Sequence, residues 1–181
     1  MTYAEMKKKV LKMIEEYADN ENFTSDPDIA TKFISVTNQV MFELSRVKKI
    51  PEYKEMQATE GLIIRFADID SENEVYQLAV TRGIEHELKA DSTIIKCLES
   101  GTLEIDYYKY PKRITEENAD SYEFELSNDV LEVMPYGIAA DILKSDVSNA
   151  YGNVYAQRYE QMKQQMDIRY NTGSIVFEGG L

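Results

Sequence analysis

Residue types that commonly carry chemistry are scarce in this chain. Its 181 residues include one cysteine, one histidine and no tryptophan. Cys97 has no second cysteine to pair with, so an intramolecular disulfide is impossible, and we expect a small buried hydrophobe in a reducing compartment. The lone His86 has no recognisable nucleophile or orienting motif around it. No Gly-rich phosphate loop or His/Cys metal spacing occurs either. We therefore expect no enzyme and no cofactor.

Long apolar runs and positive charge are also in short supply. No stretch approaches the length of about 18 apolar residues that a membrane span needs, so we expect no membrane partner. The formal net charge is −13 and the sequence pI is about 4.6. This balance opposes specific binding of nucleic acid, which depends on Lys and Arg contacts to phosphates. The same charge would also keep an ordinary globular domain dispersed.

One acidic stretch is the best candidate for a catalytic or metal site. Alternating carboxylates in a loop can ligate Ca²⁺ through oxygen atoms. The stretch fails as an EF-hand loop because Asn73 stands where glycine is needed and Ala79 where a bidentate glutamate is needed. A solvated acidic turn explains the residues at least as well. The carboxylates concerned are Asp68, Asp70, Glu72 and Glu74.

The N-terminal quarter predicts two amphipathic helices. Thr2 and Glu5 have the spacing of a capping box, and apolar residues follow at steps of three and four. A second start signal places Pro27 near the first helical position, and Pro51 is expected to end that helix. Because the link between the helices is short, we expect them to pack antiparallel.

The middle of the chain changes to short runs about ten residues apart, separated by Gly, Asp, Ser and Asn. Most runs are rich in β-branched and aromatic residues, which is typical of an antiparallel sandwich or barrel-like sheet. The run at 84–88 is ambiguous, because Ile84 and Leu88 would also share a helix face. The runs are Leu62–Phe66, Val75–Val80, Ile84–Leu88, Thr93–Ile95 and Leu103–Tyr108.

Two further helices are predicted near the C-terminus. Residues 122–126 alternate like a strand, and 127–129 cap a helical turn. Pro135 then suits the first turn of a helix running to about Leu143. Ser148 could cap the next helix, whose apolar face carries tyrosines and methionines. The members of this face are Tyr151, Tyr155, Met162, Met166 and Tyr170, with Tyr159 beside them.

These elements predict an α+β fold in which an antiparallel helical bundle from both chain ends carries an inserted small antiparallel β domain. Four segments follow. The N-terminal helical hairpin covers 1–50 and the β domain 51–114. The C-terminal helices that complete the bundle cover 115–171, and an extended apolar tail covers 172–181. That tail has little to pair with, so it could add to a neighbour's sheet or fold back on its own chain.

Three of these stretches together resemble the head–tail connector (adaptor) proteins of tailed bacteriophages. The stretches are the strand ending in Tyr110-Pro111, the Pro-led helix at 134–143 and the Tyr-rich helix at 149–162. The resemblance covers roughly the last 80 residues and the general layout of the two N-terminal helices.

The resemblance implies a non-enzymatic virion structural protein that forms a ring beneath the portal, in a phage or prophage. Expected partners are further copies of the chain, the portal protein and tail or stopper proteins. DNA would pass through an acidic lumen without being bound specifically. Assembly would take place in the cytoplasm of the bacterial host, and the final location would be the virion neck. Interface residues are expected at Tyr151, Tyr155, Tyr159, Met162, Ile175, Val176 and Phe177.

Two other classes stay open. The β domain could be a binding module that holds a peptide or carbohydrate against a helical support. An enzyme of unrecognised type would have to use His86 or the acidic stretch at 68–74.

Overall fold

A computed structural model describes residues 1–15, 27–144 and 150–171. Within these ranges the chain forms five α-helices and one short 3-10 helix. The α-helices are α1 (Tyr3–Met13), α2 (Pro27–Val47), α3 (Phe66–Ile69), α4 (Asn128–Leu143) and α5 (Ala150–Asn171), and the 3-10 helix is Ala119–Ser121. None of the described helices is long and apolar enough to cross a membrane.

The predicted starts of the first two helices are confirmed. At α1, the Glu5 backbone N–H donates to Thr2 Oγ1 at 3.2 Å, and the Thr2 N–H donates to Glu5 Oε2 at 2.8 Å. This reciprocal pair satisfies two amide groups that the helix itself leaves free. Helix α2 begins at Pro27 and ends at Val47, before Pro51. Helix α1 ends at Met13, with Ile14 as its C-cap residue, so the prediction that residues 19–22 end this helix is wrong. The predicted cap residues ahead of Pro27 lie outside the described residues.

Helix α4 differs from the prediction at Pro135. The helix follows its N-cap residue Ser127 and runs without interruption to Leu143, so Pro135 lies inside it rather than in its first turn. Proline lacks the N–H that would bond to the carbonyl four residues earlier. The helix continues because ten of its residues are buried, and burial of its apolar surface outweighs one missing hydrogen bond.

In the part of the chain that the structure describes, six strands form two small antiparallel sheets. The first sheet has the order β1-β6-β3 and the second the order β2-β5-β4. Five strands correspond to the five predicted runs, with shifted ends. The strands are β1 (Ile50–Ala58), β2 (Ile63–Arg65), β3 (Val75–Gly83), β4 (His86–Lys89), β5 (Ile94–Cys97) and β6 (Gly101–Lys109).

Strand β1 was not predicted. It pairs with β6 over nine residues without a bulge, from Ile50 opposite Lys109 to Ala58 opposite Gly101. Its sequence contains Pro51 and several charged residues, which are tolerated because β1 is an edge strand of its sheet. Pairing with β6, about 50 residues away in sequence, therefore determines this strand.

The described chain divides into two compact units. One combines Met1–Lys48 with the described residues from Arg113 onward, and the other is Lys49–Lys112. The predicted divisions fell after residues 50 and 114. The sheet-bearing unit has its own core, and Cys97 lies fully buried in it, as predicted. The members of this core are Ala58, Ile64, Ile69, Val75, Ile95, Cys97, Leu103, Ile105 and Tyr107.

The predicted antiparallel bundle from both chain ends is wrong. The fold is α+β, but α1, α2 and α5 each pack more extensively on α4 than on one another, and the two sheets occupy the centre of the chain. The apolar stripes and short links suggested two sequential hairpins. An amphipathic stripe shows which face of a helix is buried but not which partner buries it. Here α4 is apolar nearly all round, and it provides that partner.

The strand predicted at 122–126 is also absent. Within the described residues this segment makes one isolated bridge, between Thr2 and Glu123. The Tyr3 N–H donates to the Tyr122 carbonyl at 2.9 Å, and the Phe124 N–H donates to the Met1 carbonyl at 3.1 Å. Because α1 begins at Tyr3, the backbone is helical from that residue and the pairing at Thr2 does not continue along it as a ladder.

Candidate functional site

The tyrosine–methionine face of α5 is largely used inside its own unit. Tyr159 and Met166 are buried, Met162 and Tyr155 are half-buried, and Tyr151 is 71% exposed. The interface role proposed for Tyr151, Tyr155, Tyr159 and Met162 stays a prediction. The other predicted interface residues, Ile175, Val176 and Phe177, lie outside the described residues.

Tyr159 is held where α2, α4 and α5 meet. A Cβ atom on Gly137 would come within 2.7 Å of the Tyr159 ring and 2.9 Å of a Val40 methyl, so glycine permits this close packing. Burial, with the neighbouring Glu43 carboxylate, raises the pKa of the Tyr159 hydroxyl well above its usual range. The ring therefore remains a neutral, packed group at any ordinary pH.

Lys163 connects α5 to α2 beside that ring. Its ammonium donates to the Glu43 carboxylate and to Glu160 Oε1, the latter at 3.0 Å. It also lies 5.2 Å from the centre of the Tyr159 ring, within the range of a cation–π contact. Burial disfavours the charged form, but the two carboxylates outweigh it and raise the pKa of Lys163. This ion pair connects α5 to α2.

A cavity lined by both polar and apolar groups lies where α1 ends and α5 begins. Its volume is about 200 Å³. The Tyr155 hydroxyl donates to the Met13 carbonyl at 2.5 Å and so ties α5 to the last turn of α1. Val154, one residue before Tyr155, is 58% exposed. The lining residues are Met13, Ile14, Glu15, Leu143, Tyr151 and Tyr155.

The carboxylates of the candidate metal stretch do not converge. Asp68 accepts the Arg65 amide at the start of α3, and Glu72 pairs with Lys112. Asp70 Oδ1 accepts two backbone amides, and its Oδ2 accepts the Asn73 side chain at 2.9 Å and the Tyr107 hydroxyl at 3.1 Å. At Glu74, the backbone carbonyl accepts the amide of Tyr110. Among the described residues no three His, Cys, Asp or Glu side chains form a metal-binding group.

Hydrogen bonds to Asp70 explain its acidity. Burial alone would raise its pKa, but four donors favour the carboxylate and lower the pKa to about 2. Burial raises the pKa of Tyr107, and the hydrogen bond to the Asp70 carboxylate raises it further. Asp70 therefore organises the turn between α3 and β3, and its lone pairs are already engaged.

Both ring nitrogens of His86 are engaged as well. Nδ1 lies 2.8 Å from the Ile84 carbonyl, to which it must donate. In that tautomer Nε2 accepts from the Thr81 hydroxyl at 2.6 Å. These contacts connect β3 to β4, and they give His86 a structural role.

Sequence analysis missed an exposed groove on the β1-β6-β3 sheet, because β1 was not recognised. Its volume is about 410 Å³. Tyr53 and Val80 are each 46% exposed there. The Tyr53 hydroxyl donates to Glu55 Oε1 at 2.7 Å, and this hydrogen bond raises the pKa of Tyr53 to about 12. The groove is lined by Pro51, Glu52, Tyr53, Ala79, Val80, Asp106, Tyr107 and Tyr108.

In comparisons with known proteins, no protein-family model matches this chain, and no curated protein matches it significantly. The assignment of a function therefore depends on the residues and contacts described above and on the resemblance in the C-terminal motifs.

Proposed function

We propose that this chain is a head–tail connector (adaptor) of a phage or prophage, a non-enzymatic virion protein that forms a ring beneath the portal. Its partners would be further copies of itself, the portal protein and tail or stopper proteins. Assembly would take place in the bacterial host cytoplasm, and the protein would reside in the virion neck. DNA would pass through the ring without specific contacts.

The observation that carries this proposal is the exposed apolar surface at the start of α5. Tyr151, which lines the cavity at the end of α1, is 71% exposed, and Val154 on the same helix is 58% exposed. Large apolar side chains that remain in water beside a concave surface are typical of protein–protein contact. A structural protein that meets several neighbours would use such a surface.

The groups that could have carried chemistry support a structural role. His86 and Asp70 are occupied by hydrogen bonds that hold strands and a turn. Cys97 is fully buried, and burial raises the pKa of its thiol, so it is a poor nucleophile.

Native mass spectrometry tests the proposal. We expect the purified chain to add to the portal of the same phage in a fixed number of copies, or to form a closed oligomer alone. A chain that stays monomeric and ignores the portal would refute the connector assignment.

The groove on the β1-β6-β3 sheet favours one alternative, a module that binds a peptide or carbohydrate. Exposed Tyr53 offers a ring for stacking, and Glu52 and Asp106 offer hydrogen-bond acceptors. A ligand that binds this groove would raise the melting temperature by mass action, and Tyr53→Ala would abolish the increase. If no peptide or carbohydrate in a screen shifts the melting temperature, this alternative is wrong.

A further inference from the structure

The solvent face of α5 lacks charge along its centre. Tyr159 and Met166 mark the buried side of the helix, and at about 100° per residue the opposite side is centred between positions 157 and 161. Four exposed residues with spacings of three, four and three occupy that side. We call them the amide seam: Val154, Gln157, Gln161 and Gln164.

Charged residues border the amide seam but do not enter it. Arg158 and Glu160 lie toward its two edges, and Asn153 and Gln165 extend it with further amides. The whole of α5 contains three basic residues (Arg158, Lys163, Arg169) and two acidic ones (Glu160, Asp167), so its formal charge is +1. The complete chain has a formal charge of −13. The seam is therefore an uncharged strip on a strongly acidic protein.

An uncharged strip favours contact between identical copies more than contact with other partners. Two copies of an acidic chain repel each other wherever their acidic faces meet, because like charges at close range are costly. A partner of a different composition has no such restriction, and it would be attracted most strongly to the acidic faces. The distribution of charge thus favours a second copy of this chain as the occupant of the seam.

The spacing of the seam also suits a packed helix. Steps of three and four place residues on one line along a helix, as at the contact positions of coiled coils. Glutamine side chains there can accept hydrogen bonds through the carbonyl oxygen and donate them through the NH2 group of the amide. Apolar Val154, 58% exposed, begins the line.

We propose that the amide seam of α5 is a contact surface for a second copy of this chain. This inference rests on the proposed function, since a ring requires contacts between copies. It adds a further face to the exposed Tyr151 surface at the start of α5, namely the amide side of that helix, which lies opposite the side that packs on α4.

The test introduces charge at the centre of the seam in the full chain. Gln157→Glu with Gln161→Glu adds two negative charges at exposed helical positions, where Glu and Gln have similar helix propensities. The matched control is Ala30→Glu with Ser35→Glu, which adds the same charge at exposed positions of α2. Sedimentation velocity over a concentration series measures self-association, and thermal melting of the monomer checks the fold.

We expect the seam variant to weaken self-association by about tenfold or more while the α2 control behaves like the wild type. If all three proteins associate equally, or if both variants are weakened equally, the amide seam is not the contact surface between copies. The proposal that the chain forms a ring would be unaffected by that result. If the wild-type chain never self-associates, the proposal that the amide seam contacts a second copy is also wrong. Portal binding alone then decides the connector proposal.

One further outcome identifies a different occupant. If the seam variant lowers the melting temperature of the monomer, and deletion of residues 172–181 lowers it equally, the chain's own terminal segment occupies the seam. That result would overturn contact with a second copy.

Discussion

Gly137 on α4 lies directly beneath the ring of Tyr159 on α5. A Cβ at position 137 would stand 2.7 Å from the Tyr159 ring, closer than side-chain atoms normally approach. Tyr159 is 6% exposed, so its ring has little freedom to move aside. The contact between α4 and α5 thus depends on the absence of a single methyl group.

Gly137→Ala is therefore expected to destabilise the fold by about 1–3 kcal/mol, the usual cost of forcing an extra carbon into a packed core. Chemical denaturation measures the free energy of unfolding. Gly152→Ala is the matched control, because a Cβ there would lie 3.3 Å from Leu143 Cβ and needs only a small adjustment. Equal losses in the two variants would mean that the Tyr159 contact has no special importance.

Asp70 should make stability depend on pH. Its pKa is lowered from 3.8 to about 2 by hydrogen bonds that act against burial. A carboxyl group with a depressed pKa in the folded state stabilises fully above its unfolded value and loses that contribution as the pH falls through the folded value. The loss is expected between about pH 4 and about pH 2.

Asp70→Asn should thus cost about 1–2 kcal/mol near pH 7, after allowance for partial solvent screening, and much less near pH 2. Urea unfolding at both pH values checks this. Glu72→Gln is the control, because its ion pair with Lys112 is exposed and should contribute little. A pH-independent cost of Asp70→Asn would contradict the assigned role.

Tyr155→Phe removes the hydrogen bond from α5 to the Met13 carbonyl. The hydroxyl is half-buried, so we expect a loss of about 0.5–1.5 kcal/mol in the free energy of unfolding. Tyr151→Phe, at the highly exposed position of the same helix, should change stability by less than about 0.5 kcal/mol. If the two variants have the same free energy of unfolding, the hydrogen bond from Tyr155 contributes nothing to stability.

Deletion of residues 172–181 tests the predicted role of the C-terminal segment. If its apolar residues contact a neighbouring subunit or the portal, the shortened chain should lose self-association or portal binding while keeping its melting temperature. Native mass spectrometry with the portal provides the measurement. Unchanged assembly by the shortened chain would exclude that role for Ile175, Val176 and Phe177.

Local signals predicted those elements that depend on residues close in sequence. The capping box of Thr2 and Glu5 and the start of α2 at Pro27 were recognised because their partners lie within one helical turn. Four of the five recognised strands carry β-branched or aromatic residues whose preference is visible without a partner, whereas β4, in the ambiguous run, carries none. Burial of Cys97 followed from the apolar run that it ends.

Elements that depend on distant partners escaped prediction. Strand β1 exists because β6 pairs with it, and its own polar sequence carries little strand signal. Pro135 was assigned to a helix start because the burial of α4 on several sides cannot be inferred from one helix. The amide seam was not predicted because apolar periodicity marks the buried side of a helix and not its polar side.

The sequence alone thus determined where α1 and α2 begin, which runs favour strands, and which face of α5 is apolar. Only the tertiary structure decided that α4 covers that apolar face, that β1 completes the first sheet, and that His86 and Asp70 are held by neighbouring groups. The physical reason is the distance along the sequence over which each interaction acts. Capping and periodicity act within a few residues, whereas packing and strand pairing depend on segments that only folding brings together.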